Sequence, residues 1–420
     1  MLSSRISGFH KKSVQDRLEI IAEKTDLTKD EIKILKKYGS LDEKTADTMI
    51  ENVISTFDIP LGIATNFTIN DEEFFIPMAT EESSVVAAAS NAAKIARDCG
   101  GFYVNSLGPK MIAQIQLVNV KSPSQVKFKI LNEKEYLLKK ANDQDPILKK
   151  FGGGAEDLEV RVLETPLGYM VVTHLIVDTR DAMGANSVNT MAEVLAPEIE
   201  KITGGRVYLR ILSNLADKRL VRAYTRIAPS AIGGEEVIEG ILNAYTFASC
   251  DPYRAATHNK GIMNGISAVA IATGNDFRAL EAGAHAYAST YGQYTSLTRW
   301  EKDTEGYLVG FLELPIAVGI IGGATAVHPV AKIALKILGA ETGPKLAEVI
   351  GAVGLAQNLA AVRALATEGI QKGHMSLHAK NIAVMAGASE TEVDEVADKM
   401  VEGNQVNMEK AKQILEEIRR

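Results

Sequence analysis

The hydrophobic positions at the start of the chain recur with helical spacing and then change to the alternating spacing of strands. The first pattern predicts a helix over 14–23, and a second helix opens at Thr28, where Glu31 completes a capping-box pattern. Alternation then predicts a strand pair over 61–78, and a run of small residues predicts a helix over 85–97. The N-terminal part is therefore predicted to be helical, followed by a hairpin and one more helix.

The next part of the chain alternates between strand and helix periods in a different order. The predicted elements are a strand over 112–120, a helix over 125–141, strands over 158–163 and 169–177, a helix over 185–202 and a strand over 206–212. This β-α-β-β-α-β order is that of the ferredoxin-like arrangement, in which four strands form one sheet with two helices. We therefore predict a small domain of this type.

The chain beyond residue 215 returns to helical spacing and is rich in glycine and alanine. The pattern predicts helices over 235–247, 253–273, 276–288, 332–338 and 345–367, with a hairpin between 295 and 314. In the last segment, charged amphipathic helices begin near Thr391 and Asn407. This last segment fits either a mobile lid or a plain helical cap.

These patterns together predict an α+β protein of three parts. A mostly helical large domain is discontinuous, over residues 1–107 and 215–372. The ferredoxin-like small domain, over residues 108–214, is inserted into it, and residues 373–420 form a helical C-terminal flap.

Composition and charge exclude several classes of protein and several kinds of binding partner. The 46 basic and 53 acidic side chains give a net charge of −7, so no overall positive charge recruits nucleic acid or an anionic membrane. Only Cys99 and Cys250 are present, which is too few for a disulfide framework or a zinc cage and fits a reducing compartment. No secretory signal pattern opens the sequence, and proline, glycine pairs or polar residues interrupt the apolar stretches 314–327 and 349–366. We therefore expect a cytoplasmic protein without a membrane span.

Four polar side chains lie close together in a segment that is otherwise small and apolar. They are Arg254, His258, Lys260 and Asn264. Ionisable groups among apolar neighbours often carry out chemistry, because their charge depends on specific partners. The other interpretation is that they are ordinary cations on a helix surface.

The sequence contains neither a G-x-G-x-x-G fingerprint nor a G-x-x-x-x-G-K-[ST] loop, so a nucleotide would need another cradle. The best candidate is the segment 181–186, between a predicted strand and a predicted helix, where free backbone N–H groups face a ligand. Gly184 would allow the close approach of a pyrophosphate. The alternative is that Asp181 only caps the following helix.

Other titratable residues leave several interpretations open. If their site is apolar, one of the adjacent carboxylates Glu81 and Glu82 would hold a proton; an acidic first helical turn is the simpler alternative. Asp276 alone fits a helix cap. His374 and His378 have a metal-ligand spacing without a third ligand, so we expect no metal there, and general acid work or surface exposure remain possible.

Six segments form one ordered set along the chain: 51–57, Glu82, 181–186, 254–265, 273–276 and 373–375. Together they resemble the 3-hydroxy-3-methylglutaryl-coenzyme A (HMG-CoA) reductases of the class II form. The resemblance implies reduction of the HMG-CoA thioester to mevalonate and free coenzyme A in two hydride steps, through a thiohemiacetal and an aldehyde. It does not distinguish the biosynthetic from the catabolic direction.

The same resemblance implies roles for four residues. Lys260 would stabilise the oxygen on which negative charge develops, and Glu82 would supply a proton to that oxygen. Asp276 would join Lys260 and Glu82 in one hydrogen-bonded unit. His374, on the closing flap, would protonate the departing coenzyme A thiolate.

The resemblance also implies binding residues and a cofactor. Ser84, Arg254 and Asn264 would hold the substrate's carboxylate and hydroxyl, Gln357 and His378 would contact coenzyme A, and Asp145, Asp181, Met183, Gly184, Ala185, Asn186 and Asn214 would bind a nicotinamide dinucleotide. The carboxylate of Asp145 would contact the adenosine ribose and repel a 2′-phosphate. NADH is therefore the expected cofactor, with NADPH as the other possibility.

The implied assembly is an obligate homodimer, because the segment 51–54 would meet the partner subunit and the site would be built from both chains; a larger assembly stays open. Two other functions are considered. One is a coenzyme A thioester hydrolase or transferase, in which Glu82 or Asp276 activates water or forms an acyl adduct. The other is a catalytically silent binding protein. The segment 181–186 argues against the first, and the set of catalytic residues argues against the second.

Overall fold

The computed structural model describes residues 3–367, 370–389, 391–403 and 405–419, and for 370–377 it describes the backbone alone. The chain begins with three short helices and continues into strands and a fourth helix. In order these are α1 (Val14–Lys24), α2 (Lys29–Lys36), α3 (Glu43–Met49), β1 (Leu61–Ile69), β2 (Glu72–Ala79), α4 (Val85–Arg97) and β3 (Phe102–Ser106). The capping box at Thr28 and Glu31 is present, which confirms that prediction. Helix α2 ends at Lys36, before Gly39, because Lys37 is extended.

The middle of the chain forms a separate four-stranded sheet. Its elements are β4 (Lys110–Val118), α5 (Pro123–Asn132), α6 (Lys134–Asn142), α7 (Pro146–Lys150), β5 (Gly154–Thr165), β6 (Gly168–Asp178), α8 (Ala185–Thr203) and β7 (Arg206–Ser213). The sheet order is β5-β6-β4-β7 and every pair is antiparallel, as in the ferredoxin-like arrangement. The helices and this sheet share one hydrophobic core.

The single helix predicted over 125–141 is wrong, because two helices occupy that range. Helix α5 ends and α6 begins at Glu133, whose backbone leaves the helical region. The break lets each helix bury its own apolar side chains, Val126 and Ile130 in α5 and Leu137 and Ala141 in α6. Helical spacing alone did not reveal the break, since both segments keep the same period.

The remaining chain packs with the N-terminal elements α1 to β3 and completes their sheet. Its elements are β8 (Leu220–Ile227), α9 (Pro229–Ile232), α10 (Glu235–Cys250), α11 (Pro252–Ala272), α12 (Phe277–Tyr287), β9 (Thr298–Lys302), β10 (Leu308–Pro315), α13 (Gly323–Val327), α14 (Pro329–Leu338) and α15 (Gly343–Ala366). Strands from both ends form a six-stranded sheet of order β2-β1-β3-β8-β10-β9. Its core is shared with α4, α10, α11 and α15. The α+β class is therefore confirmed.

Helix α15 is long and apolar enough to cross a membrane, but 67% of its most apolar stretch is buried by the protein itself. It packs closely on α11 because small residues lie at the contact. A Cβ on Gly265 would lie 3.0 Å from Val353 and 3.1 Å from Gln357, and one on Gly354 would lie 2.8 Å from Ile266. We interpret α15 as the central core helix, on which α11 is held in a fixed position.

Three C-terminal helices share a core of their own. They are α16 (Ile370–Met385), α17 (Val393–Glu402) and α18 (Met408–Ile418), packed through Ala379, Val396 and Ile414 among others. Asn407 caps α18 by accepting a hydrogen bond from the backbone N–H of Lys410, at 2.9 Å. Helices near Thr391 and Asn407 are thus confirmed. The motion of this segment as a flap stays a prediction.

Candidate active site

Helix α11 presents a lysine and an asparagine to a loop from the other end of the chain. Asp251 caps the helix by accepting from the backbone N–H of Arg254, and Pro252 occupies its first turn. Lys260 and Asn264, four residues apart, lie on one helix face. The Lys260 ammonium donates to Glu82 Oε2 at 2.8 Å, and Asn264 Nδ2 donates to the same oxygen at 3.3 Å. Residues 178 positions apart in sequence therefore form one charged cluster.

The loop that carries Glu82 follows β2 and leads into α4. The Glu82 backbone N–H donates to Thr80 Oγ1 at 3.2 Å, and Ser84 takes a left-handed conformation with a φ of 74°. A left-handed serine costs free energy, and such conformations are common where a loop must present a ligand-binding group. Ser84 lies two residues after Glu82 in the same loop.

The apolar surroundings expected around Glu82 are absent from the single chain. The side chain of Glu82 is 37% exposed and that of Lys260 is 60% exposed. Water therefore reaches both groups, and the salt bridge is screened. A water-poor site at this position requires a cover, either from the substrate or from another part of the assembly.

Arg254 and His258, one turn apart on α11, have different surroundings. Burial lowers the pKa of the half-buried Arg254, whose guanidinium has no hydrogen-bond partner among the described residues. Burial, followed by the charge of Arg254, lowers the pKa of His258 to about 4. His258 is therefore neutral near pH 7, and its grouping with the surface cations is wrong.

His258 belongs to a buried polar network that anchors α11. Its Nε2 lies 2.7 Å from Thr298 Oγ1 and 3.0 Å from Asn358 Nδ2. Asn358 Oδ1 also accepts from Thr298 Oγ1 at 2.9 Å and from the indole N–H of Trp300 at 2.8 Å. The network joins α11 to β9 and α15, so it holds the helix that carries Lys260 in register.

The segment 181–186 forms the predicted loop at the start of α8. Gly184 has a φ of 89°, and a Cβ there would lie 2.2 Å from Thr179 Cγ2. No side chain caps the N-terminus of this 19-residue helix, and its first turn holds no acidic residue. Free backbone N–H groups at a long helix's N-terminus fit a pyrophosphate.

The carboxylate of Asp181 does not bind the N-terminus of α8. Its Oδ1 accepts from the backbone N–H of Gly343, at 2.9 Å, in the first turn of α15. The interpretation of Asp181 as a cap of α8 is therefore wrong. The Asp181 carbonyl also accepts from the backbone N–H of Ile320, at 2.8 Å, while Met183 packs its backbone against Gly319. These contacts hold the loop against the part of the fold that contains the six-stranded sheet.

The buried side chain of Arg219 holds this loop in place. No pattern in the sequence had pointed to Arg219. Its side chain is 2% exposed and its guanidinium donates to Thr179 Oγ1 at 2.9 Å and to the Ala182 carbonyl at 3.2 Å. Burial lowers the pKa of Arg219 to about 10, against the opposing charges of Asp178 and Asp181, so it stays charged. A buried arginine that binds loop carbonyls has no distinctive sequence pattern.

Asp145 lies beside the same helix N-terminus. Its carboxylate caps α7 by accepting from the backbone N–H of Leu148 at 2.9 Å, and it accepts from Ser187 Oγ at 2.8 Å. Ser187 directly follows Ala185 and Asn186 in the first turn of α8. The structure therefore brings Asp145 next to the candidate nucleotide loop. Asn214, which follows β7, lies close to Gly283 of α12.

Asp276 is separated from Lys260 within one chain. Its carboxylate caps α12 by accepting from the backbone N–H groups of Arg278 and Ala279, at 3.0 and 3.1 Å. Ser267 of α11 contacts Glu281 of α12, so α12 runs back along α11 and Asp276 lies level with the end of α11. The 12 residues from Lys260 to that end span about 18 Å. Among the described residues of one chain, Asp276 therefore makes no hydrogen bond to Lys260 or Glu82.

The neighbour of Asp276 connects it to the nucleotide loop instead. Asn275 Oδ1 accepts from the backbone N–H of Gly319 at 2.8 Å, and Gly319 lies against Met183. Asp276 thus lies close to the candidate nucleotide loop. Lys260 lies in the middle of α11, where it contacts Glu82.

The remaining predicted residues lie on α15 and α16. Gln357 is 6% exposed, and its Oε1 has no hydrogen-bond partner among the described residues. His378 is exposed on α16. The side chain of His374 lies outside the described residues. Within the described part of the chain, no three His, Cys, Asp or Glu side chains are grouped to hold a metal ion.

Comparison with known proteins decides the family. The sequence profile described as hydroxymethylglutaryl-coenzyme A reductase matches residues 13–379. The chain belongs to the HMG-CoA reductase family. This reductase is 57% identical to the 3-hydroxy-3-methylglutaryl-coenzyme A reductase of Archaeoglobus fulgidus over 418 residues, covering 100% of this chain and 95% of the relative. It is 35% identical to a probable enzyme of the same name from Borreliella burgdorferi, covering 99% and 97%.

A solved structure of the class II enzyme from Streptococcus pneumoniae, bound to NADPH in open conformations, is 43% identical to this reductase. The TM-score is 0.83, and the match covers 97% of this chain and 100% of that chain. The class II resemblance is thus confirmed. This reductase is an oxidoreductase of the mevalonate pathway that uses a nicotinamide nucleotide. The hydrolase and silent-scaffold interpretations are not supported.

Proposed function

We propose that this reductase converts HMG-CoA to mevalonate and coenzyme A with Lys260 and Glu82 at the reacting carbonyl. The observation that carries the proposal is the cluster in which Lys260 and Asn264 both donate to Glu82 Oε2. The bound nicotinamide nucleotide supplies hydride. Lys260 stabilises the negative charge that each hydride transfer places on the acyl oxygen, and Glu82 supplies a proton to that oxygen. A positioned cation of this kind is worth roughly 3–4 kcal/mol of barrier.

We propose that the substrate's free carboxylate binds Arg254. This guanidinium is half-buried and has no partner among the described residues, and a guanidinium matches a carboxylate in a bidentate geometry. Ser84 and Asn264 flank the same cluster and would hold the substrate hydroxyl. The exposed His378 would contact coenzyme A, whereas the buried position of Gln357 argues against such a contact for that residue.

The active site is proposed to form between two protomers. One chain would supply Lys260 and Glu82, and Asp276 of the partner subunit would complete the hydrogen-bonded unit, because about 18 Å separates the two within a chain. The largely exposed segment 50–60, which contains no helix or strand, supports a homodimer. Its Ile54 side chain is 99% exposed, and such apolar exposure is typical of a surface that a partner covers. A partner subunit that covers this surface would also exclude water from the exposed salt bridge between Lys260 and Glu82.

NADH is the proposed cofactor, bound with its pyrophosphate at Gly184, Ala185 and Asn186. Asp145 places a carboxylate next to that helix N-terminus, and its charge would repel the 2′-phosphate of NADPH. His374 would protonate the coenzyme A thiolate from helix α16, on the C-terminal flap. We place the enzyme in the cytoplasm, consistent with its two unpaired cysteines.

The proposal is tested by following cofactor oxidation and thiol release together. We expect about two molecules of NADH oxidised for each coenzyme A released, because reduction of a thioester to an alcohol consumes one hydride at the thioester stage and one at the aldehyde stage. Thiol release without cofactor oxidation would indicate a hydrolase and end the proposal.

Two variants separate the residue roles. Lys260→Ala should abolish both reductive steps, since each places charge on the oxygen that the ammonium stabilises. His374→Ala should impair reduction of the thioester more than that of the free aldehyde, which has no thiolate to protonate. Wild-type thioester reduction by both variants would refute the role assignments.

A further inference from the structure

The loop that carries Asp276 is a short junction between two helices. Helix α11 ends at Ala272, and the backbone N–H of Asn275 donates back to the Ala270 carbonyl at 2.8 Å. Helix α12 begins directly afterwards, with Asp276 as its cap. The junction packs against a second loop, the bridging segment, which comprises residues 318–325. Its contacts decide where the carboxylate of Asp276 lies.

Two side chains hold the bridging segment to this junction. The Asn275 amide oxygen accepts from the backbone N–H of Gly319 at 2.8 Å, and its amide nitrogen donates to Thr273 Oγ1 at 3.1 Å. The second bond orients the amide so that its oxygen faces Gly319. Thr325, which is 5% exposed, donates from its hydroxyl to the Thr273 carbonyl at 2.9 Å. Both side chains therefore join the same two segments.

The other side of the bridging segment contacts the candidate nucleotide loop, residues 181–186. The backbone N–H of Ile320 donates to the Asp181 carbonyl at 2.8 Å. An added Cβ on Gly319 would lie 2.5 Å from the backbone nitrogen of Met183, so only glycine allows the two backbones to approach this closely. The bridging segment therefore lies between the nucleotide loop and the junction that carries Asp276.

Arg219 joins the nucleotide loop and the bridging segment inside the protein. Its buried guanidinium donates to the carbonyl of Ala182 in the first and to that of Val318 in the second. Separating the two segments would leave a buried charge without its hydrogen-bond acceptors, which costs several kcal/mol in general. The two segments are therefore held at one distance, independently of Asn275.

The carboxylate of Asp276 is oriented with one oxygen left available. Its Oδ1 accepts from the backbone N–H groups of Arg278 and Ala279, at 3.0 and 3.1 Å, and from Arg278 Nε at 3.3 Å. Its Oδ2 has no hydrogen-bond partner among the described residues, and the side chain is 42% exposed. Oδ2 can therefore accept from a group that lies outside this chain.

We propose that Asn275 is a positioning residue, whose bond to the bridging segment holds Asp276 at a fixed distance from the nicotinamide nucleotide. The inference rests on the proposed roles of Asp276 and of the loop 181–186. Hydride donor and carboxylate act on the same acyl group, and a misplacement of about 1 Å can cost roughly 100-fold in rate. Without the Asn275 bond, Asp276 still caps α12 but loses its connection to the nucleotide loop. The nucleotide then binds normally and reacts slowly.

The test measures turnover per NADH-binding site in Asn275→Ala. Fluorescence titration with NADH gives the number of sites and the Kd, and steady-state assays give kcat, which is then divided by that number. We expect kcat per site to fall roughly 10- to 100-fold, with the wild-type number of sites and the wild-type Kd for NADH. A merely structural role of Asn275 would instead reduce the number of sites and leave kcat per site unchanged.

A matched control removes the same kind of hydrogen bond elsewhere in the fold. Asn189, on α8, is also half-buried, and its amide oxygen accepts from the backbone N–H of Leu212 at 2.9 Å. Asn189→Ala should therefore destabilise the protein in a similar way and keep the wild-type kcat per site. Thr273→Val removes the hydroxyl that orients the Asn275 amide and keeps the bond to Gly319, so we expect a smaller loss of kcat than in Asn275→Ala.

The outcomes separate this inference from the proposed function. A wild-type kcat per site in Asn275→Ala, together with inactive Lys260→Ala and Asp276→Ala, would overturn the inference and leave the proposed function standing. Wild-type activity of Asp276→Ala would overturn both the inference and the proposed role of that carboxylate. If Asn275→Ala does not fold, Thr325→Val decides, because it removes the other hydrogen bond between the same two segments at nearly equal volume. A reduced kcat per site then supports the inference, and a wild-type value contradicts it.

Discussion

Replacing Gly184 with alanine should selectively weaken binding of the nicotinamide nucleotide. Gly184 begins α8 with a φ of 89°, and an added Cβ would lie 2.2 Å from Thr179 Cγ2 and 2.6 Å from Thr179 Cβ. Thr179 cannot retreat, because it is 1% exposed and its hydroxyl is held by the Arg219 guanidinium and the Ala182 carbonyl. The loop itself must therefore move.

The size of the effect follows from two costs. A non-glycine residue in the left-handed region costs about 1 kcal/mol, and displacing the loop removes backbone hydrogen bonds to the pyrophosphate that are each worth roughly 1.5–3 kcal/mol. Since about 1.4 kcal/mol corresponds to a factor of ten, we expect the KM for NADH to rise roughly 10- to 100-fold. The KM for HMG-CoA should change little, because the proposed acyl site at Lys260 lies in the middle of α11, away from this loop.

Steady-state kinetics of Gly184→Ala and Gly204→Ala provide the assay. Gly204 ends the same helix with a φ of 76°, and no atom lies within 4 Å of its added Cβ. Gly204→Ala has the cost of a left-handed alanine but no clash. We therefore expect it to lose about 1 kcal/mol in free energy of unfolding and to keep the wild-type KM for NADH. Equal KM values for NADH in the two variants would refute the reasoning about the loop.

Three further outcomes follow from the structure. Ile54→Asp should dissociate the dimer in sedimentation experiments and abolish activity, whereas Leu167→Asp, at a site 90% exposed on a hairpin of the small sheet, should do neither. Asp145→Asn should raise kcat/KM for NADPH relative to NADH by about tenfold, because it removes a charge facing the 2′-phosphate; an unchanged ratio would contradict that assignment. His258, with a pKa of about 4 in the fold against an ordinary 6.5, stays neutral while the unfolded chain takes up a proton. Its contribution is therefore fully present above pH 6.5 and falls by about 3 kcal/mol as the pH drops to 4, so denaturant unfolding of His258→Gln should show a flatter dependence over that range.

Sequence patterns predicted helices and strands correctly where the interactions that form them join near neighbours in the chain. The capping box at Thr28, the start of a helix near Asn407 and the succession of the four strands in the small sheet depend on near neighbours in the chain, and each was confirmed. The helix break at Glu133 was missed because both halves keep helical spacing and pack into the same hydrophobic core.

The site was predictable only as far as its resemblance to a family reached. Lys260 and Glu82 are far apart in sequence, and only the fold shows that they touch. His258 resembled its cationic neighbours because the sequence does not reveal the apolar surroundings that keep it neutral. Arg219 belongs to no motif, and its importance comes from burial and from partners on distant segments.

The central claim is that one chain supplies Lys260 and Glu82 while the other supplies Asp276. It is tested most directly by mixing two inactive proteins, Lys260→Ala and Asp276→Ala, and allowing their subunits to exchange. Half of the dimers would then be mixed, and each mixed dimer would contain one intact site, so we predict recovery of about a quarter of wild-type activity. Lys260→Ala mixed with Glu82→Gln, whose lesions lie in the same half-site, should recover none. If the first mixture also stays inactive after exchange, the shared active site is contradicted.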